Sequence, residues 1–357
     1  MTSVSVVMPT YGKNEYLEYT LASLVRQTHQ DFELILVNDG GDPSTRDLVA
    51  AYRRHFGITY LTPPHGGRAA ARNHGLQAAD GDRVLFVDDC CIATPDLVRR
   101  HAGHDPGTLA IGWKRRVATV WKGGGRLTAD DAERALLHDR FPEWSSGGSA
   151  DQRLIEPSDL IEDFTSTAAR IDLSHDYDNH PDIVHMFSPE LRGYALPWTL
   201  VTTGNLSVSP EALADIGGFD ETYRGWGIED TDLGYRLHRH GLRTVFDVDA
   251  VNLHQLHPQG DGAVEFAVRR RGAELLRNAE HFCRNHGTLE TYLYWQFVTR
   301  KHGLLQINQL FHEISAVESP TVRDEILRLY ASALPPSPSD VVAPPNLYCA
   351  AAPLPTG

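Results

Sequence analysis

Residues 85–92 read LFVDDCCI. A short apolar run drives into two adjacent carboxylates, Asp88 and Asp89, and two cysteines, Cys90 and Cys91, follow. The segments before it explain the pattern. VSVVM (4–8) and FELILV (32–37) are β-rich runs stopped by Pro9 and by NDGG. Between them, Asn14 is placed to cap a helix carrying Leu17, Leu21, Leu24 and Val25 at helical spacing. Residues 44–56 read as a helix, 58–61 as a strand, and GGRAAARNHGLQAA (66–79) as a helix that begins at glycines. Strands alternating with helices of about a dozen residues imply parallel βαβ units. Such sheets bind ligands beyond the carboxyl ends of their strands. The loops PTYG, NDGG and DDCC then share one edge, and the acid pair stands at the mouth of the sheet.

The 357 residues suffice for a large core and a second domain. Hydrophobic residues make up 41% and charged residues 22%, as in ordinary globular proteins. A net charge of −14 argues against nucleic acid or an anionic membrane as the main partner. A small phosphorylated ligand held by a few local cations remains compatible with it. No apolar run is long enough for a spanning helix, and the N-terminus shows no basic region followed by an apolar one. Cys90, Cys91, Cys283 and Cys349 form neither a disulfide framework nor a zinc knuckle, so a reducing cytoplasm is expected.

Further along, helices are expected near 129–139 and 158–171, with the polar, His-rich SHDYDNHPDIVHMF after them. This middle region reads as an insertion or flexible segment over the site. Ser209-Pro210-Glu211 opens a short helix closed by Gly217-Gly218, and residues 229–240 form another, ended by Gly241. Residues 263–330 read as helical. VRRRGAELLR (268–277) fits a solvated helix face better than a phosphate or membrane patch.

SVVMPTYGKNEYLEYTLASLVRQTHQDFELILVNDGG, GGRAAARNHGLQAADGDRVLFVDDC and GWGIEDTDLGYRL stand in the order in which family 2 glycosyltransferases carry such motifs. The chain resembles that family over residues 4–258. GWGIEDTDLGYRL is similar to the acceptor-side motif of β-galactosyltransferases and polypeptide N-acetylgalactosaminyltransferases. The resemblance implies a GT-A fold, an α/β nucleotide-diphospho-sugar domain with a mixed, mostly parallel sheet. It would span 1–258: 1–110 as the nucleotide-binding half, 111–198 as the insertion and 199–258 as the acceptor-side half. A helical extension (259–333) and a Pro/Ala-rich tail (334–357), expected to be disordered, would follow.

On the nucleotide side the resemblance implies Pro9 and Tyr11, whose ring can stack on a base. The Asp39 carboxylate can accept from the imide N–H of uracil, a donor cytosine lacks; the alternative is an Asx-turn before Gly40-Gly41. Arg68 and Arg72 share one face near a helix start, where free N–H groups also favour anions. Arg72 matches the family's nucleotide-contacting arginine. A diphosphate between carboxylates requires a bridging cation, and hard Mg²⁺ or Mn²⁺ suits oxygen ligands. In the family's D-x-D motif the last acid binds the metal. Here Asp88 takes the first position and Cys90 the last, which departs from the pattern. Asp89 is preferred as the ligand, with Asp88 and Cys90 left open. Of the histidines in NLHQLH, His254 is preferred over His257 as a third ligand.

On the acceptor side, Gly225 and Gly227 permit close backbone approach and Trp226 offers a flat face to a sugar ring. Gly204 or Asn205, in GNLS, can meet sugar hydroxyls. The resemblance puts a general base at Asp230, with Glu229 binding the acceptor hydroxyl; the roles could be exchanged, and Asp232 serves the helix dipole. The expectation is an inverting, metal-assisted transfer from a UDP-sugar to a glycan, natural product or peptide. Two alternatives stand beside it: a catalytically inactive sugar-binding relative, suggested by Cys90, and a sugar-1-phosphate nucleotidylyltransferase, for which PTYGKNEY is a poor match.

Overall fold

The computed structural model describes residues 2–122, 131–142, 151–176, 179–257 and 264–335. Its first part is the expected alternation: β1 (Val4–Thr10), α1 (Asn14–Leu24), β2 (Phe32–Asn38), α2 (Thr45–Tyr52), β3 (Gly57–Leu61), α3 (Arg68–Ala78) and β4 (Arg83–Val87). β1 pairs in parallel with β2 and β4, and β2 in parallel with β3. β1, β2 and β4 are buried on both faces, which is why their sequences are continuous apolar runs, whereas β3 at the edge is only half-buried. Their side chains alternate between two layers. Val7, Ile35, Val37 and Phe86 join one core cluster, while Val6, Met8, Leu34, Leu36 and Leu85 join another. α3 lies so close to β1 that a Cβ on Gly75 would stand 2.4 Å from Val7 Cγ1.

Next come β5 (Cys91–Ala93), α4 (Leu97–Ala102), β6 (Thr108–Val117), β7 (Val120–Trp121), α5 (Asp131–Arg140), β8 (Gln152–Arg153), α6 (Pro157–Glu162), α7 (Phe164–Ile171), β9 (Asp172–Asp176) and α8 (Pro181–Phe187). β10 (Asn205–Val208), α9 (Pro210–Asp215), α10 (Glu229–Arg239) and β11 (Arg243–Gln255) complete the sheet region. The nine-stranded sheet runs β3-β2-β1-β4-β10-β6-β11-β5, with β9 on β6. β10 is antiparallel to β4 and β6, whereas β11 is parallel to β6. The sheet is therefore mixed and mostly parallel, and helices pack on both faces. The helices α11 (Val264–His286), α12 (Leu289–Val298), α13 (Leu304–Ser315) and α14 (Pro320–Ser332) follow.

Several local expectations change. Asn14 begins α1 rather than capping it; its amide bonds Ser44 and Asp42 instead. The helix expected over 158–171 breaks in two at Asp163, whose carboxylate accepts from Ser166 N–H and caps α7. The long helical stretch divides around Gly287, Gly303 and Pro320. The middle of the chain is built into the sheet, through β6 and β9. The side chains of 268–270 and the tail from 336 onward lie outside the described residues, as does Pro258.

Candidate active site

The carboxyl end of β4 opens into a cleft with a cavity of about 300 Å³. Its walls come from the first βαβ units, from the segment 199–204 that leads into β10, from β11, from α10 and from α11 and α12. Lys13, Arg68, Arg72, Lys114 and Arg271 face it, against the carboxylates of Asp88, Glu229 and Asp230. An acidic protein thus carries a locally cationic cleft, the arrangement an anionic ligand needs.

Arg72 ties the two sides together. Its guanidinium is 3% exposed, with Nη2 donating to Asp88 Oδ1 at 3.1 Å and Nη1 to Glu229 Oε1 at 3.2 Å. Burial works against its charge, but Asp88, Glu229 and Asp230 outweigh it and raise its pKa further. Glu229 is therefore engaged and nearly buried, while its neighbour Asp230 borders the cavity and accepts from Thr231 N–H. Asp88 keeps its second oxygen towards Gly204, where a Cβ would come within 3.1 Å of it. Arg68 reaches across the cleft to the Gly225 carbonyl. The loop before α10 is left-handed at Gly225, Gly227 and even Ile228, with φ values of 80°, 90° and 80°. That backbone holds Trp226 at the cavity, under the Arg271 guanidinium at 5.9 Å.

The two acids at the strand end separate. Asp89 turns inward, accepting from Thr10 Oγ1 at 2.9 Å and Lys13 Nζ at 3.3 Å. Burial pushes its carboxyl above the usual range, and Lys13 and Thr10 pull it back only in part. It does not border the cavity. Cys90 does, and so do both histidines. The cause is strand pairing: β5 and β11 run antiparallel with Cys91 opposite His254, and Gln255 N–H donates to the Cys90 carbonyl. This brings Cys90 Sγ to 3.6 Å from His254 Nε2, and a ligand atom from each of Cys90, His254 and His257 lies within 4.8 Å of the others. The Cys91 thiol, and then Lys13, His254 and His257, hold the Cys90 thiol well below its ordinary range despite burial. The donors gathered where a cation would sit are thus sulfur and nitrogen. From the sequence Asp89 is preferred because a thiolate suits Mg²⁺ poorly, but consecutive residues at a strand end diverge, and here Asp89 points inward while Cys90 borders the cavity.

On the nucleotide side, Tyr11 is 57% exposed beside the His65 ring at 4.8 Å. Pro9 is half-buried in β1, opposite Val37. Both Asp39 carboxylate oxygens receive backbone N–H groups, from Gly66 at 2.7 Å and Gly67 at 2.9 Å. Asp39 therefore fixes the loop that launches α3. Asn205 does not reach the cleft. Its amide donates to the Trp113 and Ala250 carbonyls and meets His101, tying β10 into the sheet. Lys13, His65, Lys114 and His180 escaped the sequence reading. Lys13 and His65 could have been found, since each flanks a quoted motif; Lys114 and His180 arrive only through folding.

Residues 5–113 match the sequence model of "Glycosyl transferase family 2", and residues 184–255 that of the "N-terminal domain of galactosyltransferase". The validoxylamine A glucosyltransferase of Streptomyces hygroscopicus subsp. limoneus is 30% identical over 345 residues, covering 94% of this chain and 68% of that protein. The chain belongs to glycosyltransferase family 2. An uncharacterized glycosyltransferase of Bacillus subtilis, YfnE, is also 30% identical to this transferase, over 73% of its length and 67% of the relative's. Among solved structures, the mannosyltransferase PcManGT of Pyrobaculum calidifontis, in complex with GDP-Man and Mn²⁺, superposes with a TM-score of 0.52 at 15% identity. That match covers 93% of this transferase and 80% of that chain. The shared architecture is the GT-A fold. No described helix is long and apolar enough to cross a membrane.

Proposed function

We propose that this glycosyltransferase inverts configuration while moving a hexose or N-acetylhexosamine from a UDP-sugar to an acceptor hydroxyl. The observation that carries the reading is the single cleft joining Asp88, at the end of β4, to Asp230, at the start of α10, with buried Arg72 between them. The exposed Tyr11 ring, against His65, which in turn meets the Asp39 carbonyl, suits stacking on uracil. Arg68 and Lys13 border the space where a diphosphate fits. Gly204 and Trp226 frame the sugar.

Asp230 is the base in this reading because Glu229 is nearly buried with one oxygen already engaged by the Arg72 guanidinium, which suits it as a fixed binder. As Asp230 takes the acceptor's hydroxyl proton, the oxygen attacks the anomeric carbon from the side opposite the diphosphate. One carbon–oxygen bond forms, the bond to the diphosphate breaks, and UDP leaves with its electron pair. Arg72, fixed by two carboxylates, keeps Glu229 in place to bind the acceptor. His254 borders the place for a divalent cation, with Asp88, Cys90 and His257 around it; the Mn²⁺ that accompanies GDP-Man in the Pyrobaculum mannosyltransferase complex supports such a cation. When bound, the cation neutralises charge on the departing diphosphate.

The Streptomyces relative's name favours a glucosyl donor and a natural-product acceptor among glycan, natural-product and peptide classes. The test is a panel of UDP-, GDP- and dTDP-sugars scored for nucleotide release, with the product anomer read by NMR. Release from UDP-sugars with an inverted anomer supports the reading. A retained anomer removes Asp230 as base, and preference for GDP-sugars removes the uracil assignment.

A further inference from the structure

We propose that the cation of this site is bound by a thiolate and two imidazoles, Cys90, His254 and His257, and is a borderline-soft ion of the zinc or cobalt type rather than Mg²⁺. The inference rests on the donor reading above only in placing the ion beside a diphosphate.

Geometry and chemistry agree. Ligand atoms from the three residues lie within 4.8 Å of one another, and all three side chains border the cavity. Bond lengths of about 2.3 Å to sulfur and 2.0–2.1 Å to nitrogen place the two donors about 3.6 Å apart at a tetrahedral angle, but only about 3.1 Å apart at an octahedral right angle. The Cys90 Sγ to His254 Nε2 separation is 3.6 Å. A hard ion would find few oxygen donors here, since of the acid pair only the second Asp88 oxygen is left towards the cavity. Asp89 is held by Thr10 and Lys13, and one Asp88 oxygen by Arg72. Magnesium demands near-ideal octahedral oxygen coordination, whereas thiolate and imidazole select ions such as Zn²⁺. Three protein ligands with one side facing a cavity is also the pattern of a zinc site that keeps a position for substrate. Cys90 binds as the thiolate, the form of cysteine that ligates metals. The Lys13 ammonium, 3.9 Å from Sγ, opposes a cation there but is held towards Asp89 at 3.3 Å.

The test uses the full chain, stripped with a chelator under reducing conditions and titrated with Co²⁺. Expected are a sulfur-to-cobalt charge-transfer band in the near ultraviolet and intense visible bands of tetrahedral Co²⁺, both abolished by adding Zn²⁺. Cys90→Ser should remove the ultraviolet band and weaken Co²⁺ by more than the roughly 10–100-fold that losing an outer-shell partner costs. Cys90→Asp should remove it too and shift preference towards Mn²⁺. His257→Ala should lose the tetrahedral spectrum, while Cys91→Ser, the neighbouring control, should keep both. Calorimetry of UDP with each ion runs in parallel. A band without UDP binding supports the centre and sinks the donor reading. UDP binding tightened equally by Mg²⁺, with no band, overturns the centre and leaves the donor reading intact. Folding of each variant is checked by circular dichroism.

Discussion

Replacing Arg72 with methionine is expected to destabilise the fold by about 3–4 kcal/mol. The guanidinium makes two charge-assisted hydrogen bonds, to Asp88 at 3.1 Å and Glu229 at 3.2 Å. At about 1.5–3 kcal/mol each these bound the loss near 3–6 kcal/mol. Asp88 is 35% exposed and regains water when its partner goes, whereas Glu229, at 9%, does not. The remaining cost is that of leaving one buried carboxylate unpaired, about 3–5 kcal/mol for broken buried pairs. Part of the loss is the guanidinium's contact with the Phe219 ring, at 5.6 Å, which methionine replaces only partly. The assay is denaturant unfolding of wild type, R72M, E229Q and the double variant, with slopes held common. The cycle should return a coupling of about 1–3 kcal/mol, because E229Q removes the charge that R72M strands. Arg72→Lys, a single point of charge, should reach one carboxylate and recover only part of the loss. If R72M costs under about 1 kcal/mol and the cycle shows no coupling, Arg72 is not the bridge between the two sides of the cleft.

Asp230→Asn should lower kcat by about 10²–10⁴ and leave UDP affinity unchanged by calorimetry; a matching loss of UDP affinity would deny it the role of base. Gly227→Ala puts a Cβ 2.8 Å from Leu275 Cδ1 at φ 90°, so KM for the acceptor should rise more than KM for the donor. His101 is pushed down to about 3 by burial, so it is neutral in the fold and charges near pH 6.5 once unfolded. Its contribution is fully present above pH 6.5. Stability should fall towards pH 3 by up to about 1.4 kcal/mol per pH unit, and His101→Gln should flatten that slope in unfolding measured across the range.

The hydrogen bonds around His101 also show why it escaped the sequence reading. Asn205 uses its amide N–H groups on the Trp113 and Ala250 carbonyls, so its oxygen accepts from His101 Nε2. Ser207 accepts from Arg83 and so donates to His101 Nδ1. Nothing in GNLS distinguishes a sugar-contacting asparagine from one that holds three strands together; the difference is where β10 inserts between β4 and β6. The strands of the first hundred residues were legible because their apolar runs and glycine-led helix are local properties. The Cys90–His254 proximity was not, because it depends on β11 returning antiparallel to a three-residue strand that has no periodicity to read. Asp39 was legible as a residue that matters, through its place at the end of β2. Its service to Gly66 and Gly67 was not, since that partner loop lies across β3.

The loop 225–228 shows how the helical extension enters the chemistry. Ile228 is β-branched yet left-handed at φ 80°, a conformation costing of order 1–3 kcal/mol and kept only where surroundings over-determine it. Those surroundings are supplied by α11. Glu274 lies 2.6 Å from where a Cβ on Gly225 would stand, and Asn278 Nδ2 donates to the Arg224 and Gly227 carbonyls. Ile228 itself is buried in the core shared with α11 and α12. From the α3 side, Arg68 holds the Gly225 carbonyl. Trp226 is therefore positioned by two elements more than 150 residues apart, α3 and α11, acting on a backbone that would otherwise relax. A helix that supplies such contacts cannot be trimmed as an appendage: without it the strain at Ile228 is unopposed, and α10 loses the entry geometry that points Asp230 at the cleft.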